Sequence, residues 1–344
     1  MDHNNISIER HRIVSGIRPT GFLHLGNYHG ALKNWVKIQL EKQCYFFAAD
    51  WHALTTEYEN PEKIGYYTKE LIIDCLSAGV DPAQSTLFIQ SHIPEHAELH
   101  LLLSFLTPLS WLERVPTYKE LRTKLKEKHL ATYGFLGYPL LQSADILMYK
   151  PTLIPVGEDQ VSHIELTREI ARHFNYLYRA RLKQEKPIFP EPEALLTATA
   201  KMPGLDGQKM SKSYHNTIGL REDPKSVTQK IKTMPTDPAR VHRSDPGEPT
   251  KCPVWNFHQV YSSPEVQDWV QVGCRTAGIG CVDCKKPVIE AVLAEQAPIR
   301  ERASVYEKDP DLVQDIIQAG AKVAREEAAK TMSEVRETIG LFKK

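Results

Sequence analysis

Ile13-Val14-Ser15-Gly16-Ile17 followed by Arg18-Pro19-Thr20-Gly21 is the stretch of sequence that decides the fold. The first five residues predict a short buried strand, and the proline and glycine of the next four predict a turn. Beyond Gly26, residues 28–42 contain no proline and carry apolar side chains at helical spacing, which predicts a helix. This order of strand, glycine turn and helix is typical of a parallel α/β domain, in which ligands bind where the strands end.

The glycine turn is suited to binding a phosphate. Free backbone N–H groups at the start of a helix attract anions, and Gly26 allows a flat ring or a phosphate to approach the backbone closely. His24 can donate a hydrogen bond to a phosphate oxygen, although an isolated histidine at this point is more often a helix cap than a catalyst. A glycine turn alone is therefore weak evidence for a nucleotide site.

A second polar segment, Lys209-Met210-Ser211-Lys212-Ser213, places two lysines and two hydroxyls within five residues. Gly204 and Gly207 precede it, so we expect a mobile loop. Such a loop can bring two cations to a polyphosphate, where charge develops as phosphate transfers. Taken alone, the segment is equally typical of a solvated basic loop. Paired with the glycine turn, it favours a nucleotide-activating enzyme.

Strands and helices alternate through the first part of the chain. The predicted strands after the first lie at 45–50, 86–90 and 152–156, and the predicted helices at 61–78, 95–135 and 159–175. From Pro224 onward the chain is predicted to be mostly helical, and Asp309-Pro310 provide the cap and first turn of a last helix. We therefore expect an α/β fold, with a Rossmann-like parallel-sheet domain followed by a mostly helical domain.

Composition limits the classes of partner. Lys+Arg and Asp+Glu both number 43, so the formal net charge is +0, whereas a nonspecific nucleic-acid binder is normally basic. A nucleic acid would therefore need local patches. The candidate patch residues are Lys119, Arg122, Lys124, Lys126, Lys128, Lys225, Lys230, Lys232, Arg240 and Arg243. No stretch is apolar enough to span a membrane or to act as a signal region, so we expect no membrane association and a cytoplasmic location.

Together the two polar segments resemble the signatures of class I aminoacyl-tRNA synthetases. His24-Leu25-Gly26-Asn27 is a degenerate form of the HIGH motif, and Lys209 to Ser213 is an unaltered KMSKS motif, in the expected order. Within this class the chain is similar to the tryptophanyl-tRNA synthetase family from about residue 13 to 220, and more weakly beyond. The segments that carry this similarity are GIRPTG at 16–21, GNY at 26–28, DWHALT at 50–55, VGEDQ at 156–160 and HIELTR at 163–168.

The resemblance implies ATP-dependent activation of L-tryptophan to the adenylate and its transfer to tRNA(Trp), with Mg²⁺ on the phosphates. It implies a catalytic domain over 10–217, with a helical insertion at about 95–140 that forms a homodimer interface and the KMSKS loop at 204–215. A helical anticodon-binding domain over 218–308 and a C-terminal helix over 309–344 would follow. A tyrosyl-tRNA synthetase and a non-catalytic synthetase paralogue that acts as a binding module are the alternatives.

The resemblance also implies roles for individual residues. The implied catalytic residues are Arg18, His24, Lys209 and Lys212. The implied ATP-binding residues are Arg18, Pro19, Thr20, Gly26, Asn27, Gly157, Glu158, Asp159, Lys209, Met210, Ser211, Lys212 and Ser213. Arg18 departs from the glutamine of a common bacterial form, but its guanidinium could meet the α-phosphate bidentately.

The amino-acid pocket is expected around Tyr138, Gln142, Asp145 and Gln160. In a helix that follows Pro139, the first three share one face. An indole N–H is only a donor, so an acceptor such as Asp145 can recognise it, as the resemblance implies, with Tyr138 and Gln160 on the substrate ammonium. A buried salt bridge is the other interpretation of Asp145. Tyrosyl enzymes use the same pattern, and many tryptophan enzymes have methionine at the position of Gln142.

Four of the six cysteines form a cluster in the sequence, spaced Cys-x21-Cys-x6-Cys-x2-Cys. They are Cys252, Cys274, Cys281 and Cys284. In a cytoplasmic chain, clustered cysteines indicate a metal more than disulfides, and four thiolates suit zinc or an iron–sulfur cluster. Similarity to synthetases that hold a 4Fe–4S cluster on nearly this spacing favours that cluster, with zinc or no metal as alternatives. Cys44 and Cys75 are predicted to be packing residues.

Overall fold

The computed structural model describes residues 11–116, 118–119, 132–182, 186–196 and 202–341. Of the candidate basic residues, Arg122, Lys124, Lys126 and Lys128 lie outside these ranges. Among the described helices, none combines the length and apolar character that a membrane span requires. The strands are β1 (Arg12–Ile17), β2 (Gln43–Ala48), β3 (Ser85–Ile89), β4 (Leu153–Val156) and β5 (Glu193–Leu196).

The strands form two parallel ladders. In the first, β2 lies between β1 and β3, with Val14 opposite Tyr45 and Tyr45 opposite Thr86. In the second, β4 pairs with β5, and β4 lies against β1. The strands therefore point the same way, and their carboxyl ends meet at one edge. The prediction of a Rossmann-like parallel sheet is confirmed.

Helices separate the strands of this first domain. They are α1 (Leu25–Asn27), a π-helical turn (Tyr28–Leu32), α2 (Lys33–Ile38), α3 (Asp50–Glu57), α4 (Glu62–Ala78), α5 (Glu95–Ser104), α6 (Leu109–Glu113), α7 (Tyr133–Met148) and α8 (Val161–Leu177). The helix predicted over 28–42 thus begins earlier, at Leu25, and ends at Ile38. Helix α3 was not predicted, because it buries only His52 and Ala53 and so lacks an apolar periodicity. Strand β5, with one half-buried and three exposed residues, lacks it too.

The predicted start of α7 at Pro139 was wrong. The side chain of Thr132 caps this helix by accepting a hydrogen bond from the Phe135 backbone N–H at 3.2 Å. Pro139 therefore lies inside the helix, two turns from its start, and Ser143 Oγ bonds the Pro139 carbonyl at 3.0 Å. The face that carries Tyr138, Gln142 and Asp145 is as predicted, because the helix runs unbroken through all three.

The second part of the chain is helical, as predicted. Its helices are α9 (Pro224–Thr233), α10 (Pro253–Tyr261), α11 (Pro264–Arg275), α12 (Cys281–Lys308) and α13 (Pro310–Ile339). Asp309 caps α13 by accepting a hydrogen bond from the Leu312 N–H at 3.0 Å, as expected. The apolar stripe of α13 packs back onto the first domain. At Gly320, a Cβ would lie only 1.9 Å from the carbonyl oxygen and 3.3 Å from the nitrogen of Leu87 in β3.

Candidate functional site

A cavity of about 650 Å³ opens where the strands end, and we call it the first cavity. Arg18 follows β1, His52 stands in the helix after β2, and Gly157 follows β4. Helix α7 adds its polar face from the side. The predicted site residues that line this cavity are Arg18, Tyr138, Gln142, Asp145, Gly157, Asp159, Gln160 and Lys209. The fold thus brings together side chains that are up to about 190 residues apart in the sequence.

Asp145 is buried at the wall of the first cavity, with 1 % of its surface exposed. Its carboxylate accepts hydrogen bonds from His52 Nε2 at 2.7 Å, His96 Nδ1 at 2.6 Å and Gln90 Nε2 at 2.9 Å. Burial alone would raise the pKa of Asp145, but the hydrogen bonds and charges of His52 and His96 lower it to about 2. The group is therefore an anion at neutral pH, and three of its roughly four acceptor positions are used.

The buried pairing expected in one interpretation of Asp145 is present, and the same residue lines the first cavity, where indole recognition stays a prediction. Sequence reasoning missed its three partners. The apolar residues that flank Asp145 in the sequence did indicate a buried carboxylate, and a buried carboxylate requires hydrogen-bond donors. It could not say which donors, because His52 follows β2 whereas Gln90 and His96 follow β3, and all three are remote from Asp145 in the sequence.

The two glutamine side chains of the pocket form successive hydrogen bonds that end at Asp159. Gln142 Nε2 donates to Gln160 Oε1 at 3.3 Å, and Gln160 Nε2 donates to Asp159 Oδ2 at 3.0 Å. Tyr138 lies beside them, with its ring centroid 5.6 Å from that of His163. Burial, the largest cause, and the charge of His52 lower the pKa of His163 to about 4, so this imidazole is neutral at pH 7.

The glycine turn leads into a capped helix start. The backbone N–H of His24 donates to Asn27 Oδ1 at 3.1 Å, so His24 occupies the N-cap position of α1, and the cap bond comes from the Asn27 side chain. Burial, assisted by the charge of Lys212, lowers the pKa of His24 to about 4. The close approach expected at Gly26 is present, but to Met210, whose Sδ lies 3.3 Å from the Gly26 nitrogen.

The two lysines of the KMSKS segment line different cavities. Lys209 reaches the first, whereas Lys212 lines a second cavity of about 630 Å³ between the glycine turn, α4 and residues 217–222. Thr20 and His24 also line the second cavity. The remaining predicted ATP-binding residues line neither, and they are Pro19, Gly26, Asn27, Glu158, Met210, Ser211 and Ser213. Burial lowers the pKa of Lys212 to about 8, although the charge of Asp74 opposes this shift.

Hydrogen bonds to the side chain of Asn216 hold the loop that carries the two lysines. Asn216 Oδ1 accepts from the Ser211 N–H at 2.8 Å, while Asn216 Nδ2 donates to Asp206 Oδ1 at 2.8 Å and to the Lys209 carbonyl at 3.1 Å. Gly204 is required here, since a Cβ would lie 2.1 Å from Asn216 Nδ2. These bonds hold both lysines beside the turn.

The four clustered cysteines come together between three helices. Cys252 precedes α10, Cys274 lies in α11, and Cys281 and Cys284 open α12. Burial, the largest cause, and the charges of the other three cysteines raise the pKa of Cys284 to about 12, so the thiols lie within electrostatic reach of one another. Among the residues that the structure describes, no group of three or more histidine, cysteine or carboxylate side chains is arranged so that it could coordinate a single metal ion.

Basic side chains surround this cluster. Arg240 Nη1 approaches Cys274 Sγ at 3.8 Å, and its Nη2 bonds the carbonyl of Arg243 at 3.1 Å. Arg240 is 8 % exposed, so its side chain adds little to a basic surface patch, and its guanidinium lies beside the cysteines. Lys230 bonds Glu222 at 2.7 Å, which makes it a poor RNA contact as well. Cys44 and Cys75 are buried in the apolar core, as predicted.

The family model, the related sequences and the solved structures that resemble this chain all belong to one class of protein. Residues 7–295 match the family of class I tRNA synthetases for W and Y. The chain is 55 % identical to a tryptophan–tRNA ligase of Thermotoga maritima and 54 % identical to one of Ralstonia nicotianae, over 96 % of this chain and 99 % and 98 % of theirs. A tryptophanyl-tRNA synthetase of Campylobacter jejuni, solved with ADP and tryptophan, is 33 % identical with a TM-score of 0.85, over 96 % of this chain and all of that one.

Proposed function

Because the chain belongs to the tryptophan and tyrosine family of class I tRNA synthetases, we propose that its two cavities bind the two substrates of tryptophan activation. The chain is an aminoacyl-tRNA synthetase that charges tRNA with tryptophan at the expense of ATP. The observation that carries the residue roles is the buried, ionised Asp145 at the wall of the first cavity.

The first cavity is proposed to hold tryptophan. The indole N–H donates to the remaining acceptor position of Asp145, whose orientation is fixed by His52, His96 and Gln90. The substrate ammonium lies against Tyr138 and Gln160, and Gln142 orients the amide of Gln160. Arg18 and Lys209 line the open side and would meet the α-phosphate of ATP.

The second cavity is proposed to receive the leaving pyrophosphate. Thr20, His24 and Lys212 line it on the far side of the glycine turn. Mg²⁺ binds mainly through substrate phosphates and water, so these residues fit a metal that arrives with ATP and neutralises its charge. His24 is neutral and still able to donate one N–H, whereas Lys212 supplies a charge.

The chemistry then needs no protein nucleophile. The carboxylate oxygen of tryptophan attacks the α-phosphorus, the bond to the bridging oxygen breaks in line, and pyrophosphate leaves with the electron pair. The terminal ribose hydroxyl of tRNA next attacks the adenylate carbonyl and releases AMP. Positioning by the first cavity and charge stabilisation by Lys209 and Lys212 are the catalytic contributions of the protein.

ATP–pyrophosphate exchange with tryptophan and with tyrosine, measured in parallel, tests this assignment. We expect exchange with tryptophan alone. Exchange with tyrosine alone would mean that Gln142 and Asp145 recognise a phenol, and exchange with neither would favour the paralogue alternative. The tryptophan–tRNA ligases at 54 % and 55 % identity argue against both alternatives.

We further propose that Cys252, Cys274, Cys281 and Cys284 hold a 4Fe–4S cluster in a domain over 218–308 that binds the anticodon. Burial and the charges of neighbouring cysteines raise the pKa of Cys274 and of Cys284, so a bound cation would favour their thiolates, and Arg240 and Lys285 can offset the residual negative charge of a thiolate-bound cluster. The backbone at Gly247 passes close to this site, since a Cβ there would lie only 2.8 Å from Cys274 Sγ. When bound, such a cluster orders the surrounding helices.

Protein purified without oxygen is expected to contain iron and acid-labile sulfide in equal amounts, about four of each per chain. Cys274→Ser should lose most of the iron and lower tRNA charging, while ATP–pyrophosphate exchange with tryptophan persists. Cys44→Ala, which removes a buried thiol outside the cluster, serves as the control and should keep its iron. One zinc per chain without sulfide would identify the zinc alternative, and no metal at all would refute both.

A homodimer through the helical insertion is proposed from the apolar surface there. The exposed fractions are 53 % for Leu101, 78 % for Phe105, 62 % for Leu109 and 66 % for Tyr133. Large exposed apolar side chains concentrated within one helical segment are typical of an interface. Sedimentation should give twice the mass of one chain for the natural protein and one chain for Phe105→Asp. Val241→Asp, at a site that is 76 % exposed outside the patch, should stay dimeric. A natural protein that sediments as one chain would exclude the dimer.

A further inference from the structure

A buried ion pair, Asp74 with Arg221, lies in the wall of the second cavity and has no role assigned in the reaction described above. Asp74 lies on α4 and is 2 % exposed, and the side chain of Arg221 is 12 % exposed. Arg221 Nε donates to Asp74 Oδ1 at 2.5 Å. We propose that this pair consists of positioning residues that hold the HIGH segment and the segment after the KMSKS loop in one fixed register, so that His24 and Lys212 face the same nucleotide.

The two segments pair through their backbones. His24 and Gly219 form an antiparallel bridge. The Leu220 N–H donates to the Leu23 carbonyl at 2.9 Å, and the Leu25 N–H donates to the Ile218 carbonyl at 3.0 Å. This ladder is very short, and a ladder of so few bonds specifies its register weakly unless side chains add to it.

Asp74 contacts both strands of this short ladder. Its Oδ2 accepts from the Leu23 N–H at 3.3 Å, one residue before His24, while its Oδ1 accepts from Arg221 on the opposite strand. A shift of the register by one residue would separate the carboxylate from one of the two donors. The result would be a buried charge without its partner, which is strongly destabilising.

Arg221 extends the contact to the helical domain. Its Nη2 donates to Glu70 Oε2 at 2.5 Å, which is also on α4, and its Nη1 donates to Glu307 on α12. Gln296 of α12 reinforces this by donating to the carbonyl of Gly219 at 2.7 Å. The guanidinium therefore joins the nucleotide-binding domain, the ladder and the helical domain at one point.

Stability alone does not account for the pair. Replacing a buried ion pair by well-packed apolar side chains is often neutral or stabilising, because the charges no longer lose their hydration. Burial raises the pKa of Asp74 to about 6 in spite of Arg221, which shows how strongly this site disfavours the charge. The contribution of the charged pair is geometric. Its directional hydrogen bonds fix the relative position of the HIGH segment and the segment after the KMSKS loop, both of which reach the phosphates.

The test rests on the proposed function and uses ATP–pyrophosphate exchange with the natural protein as its reference. Asp74→Asn keeps the shape and removes the charge, and we expect kcat to fall by about 10²-fold with the KM for tryptophan unchanged, since a misplacement near 1 Å costs that much. Asp74→Leu combined with Arg221→Leu removes both charges of the pair but leaves Glu70 without its arginine, and as long as it is folded it should keep the low kcat.

Glu327→Gln is the matched control. It breaks another partly buried arginine–carboxylate pair, Arg12 with Glu327 at 2.6 Å, which touches neither cavity. We expect it to change kcat much less than Asp74→Asn. A double leucine variant with natural kcat, or equal effects of Asp74→Asn and the control, would overturn the inference. Failure of the natural protein to exchange would instead refute the proposed function.

Discussion

Replacing Asp145 by asparagine is expected to raise the KM for tryptophan by about 10²-fold, because a hydrogen bond to a charged acceptor contributes about 1.5–3 kcal/mol and its loss leaves buried donors unpaired. Asparagine also presents an NH₂ group to a wall already occupied by the donors His52, His96 and Gln90. The measurement is steady-state exchange over a range of tryptophan concentrations.

A tryptophan analogue with sulfur in place of the indole N–H distinguishes hydrogen bonding to the indole N–H from packing against the ring. The natural protein should discriminate strongly against the analogue, whereas Asp145→Asn should bind both equally poorly. Gln142→Met provides the control, since it alters the same helix face and acts on the substrate only through Gln160, so it should keep the natural discrimination against the analogue. If Asp145→Asn discriminates as well as the natural protein, Asp145 is a structural ion pair and another group reads the indole.

The second large effect is expected at Lys212. Its replacement by alanine should lower kcat by about 10²–10³-fold, the effect of removing one preorganised group that stabilises developing charge, with little change in tryptophan binding. Lys225→Ala removes an exposed lysine of α9 and is the control. A large loss of tryptophan affinity in Lys212→Ala would contradict the assignment of this lysine to the phosphates.

The pH dependence gives an independent test of the same lysine. Because burial lowers its pKa to about 8, Lys212 is charged below that pH and loses its proton above it. The value of kcat/KM for ATP, which reports the free enzyme, should therefore decline above about pH 8. In Lys212→Arg the decline should move to higher pH, because a guanidinium stays protonated.

Sequence alone predicted the first strand, the turn after it and the polar face of α7, because each is a local pattern with a regular period. It could not predict that His52, Gln90 and His96 meet at Asp145, since that depends on where the segments after β2 and β3 lie relative to α7. It placed both lysines on one phosphate site, whereas the turn at Arg18–Gly21 divides them between two cavities. It also missed α3 and β5, because few of their residues are buried and their sequences therefore show no regular apolar spacing.

The close packing of Gly320 against Leu87 also bears on solubility. The nitrogen and carbonyl oxygen of Leu87 both face α13, on the side of β3 away from β2. An uncovered edge of this kind is a template on which strands of other molecules can add, and natural proteins often cover it. Helix α13 does so here, and only a glycine lets it come close enough. The C-terminal helix thus protects the protein from edge-to-edge aggregation.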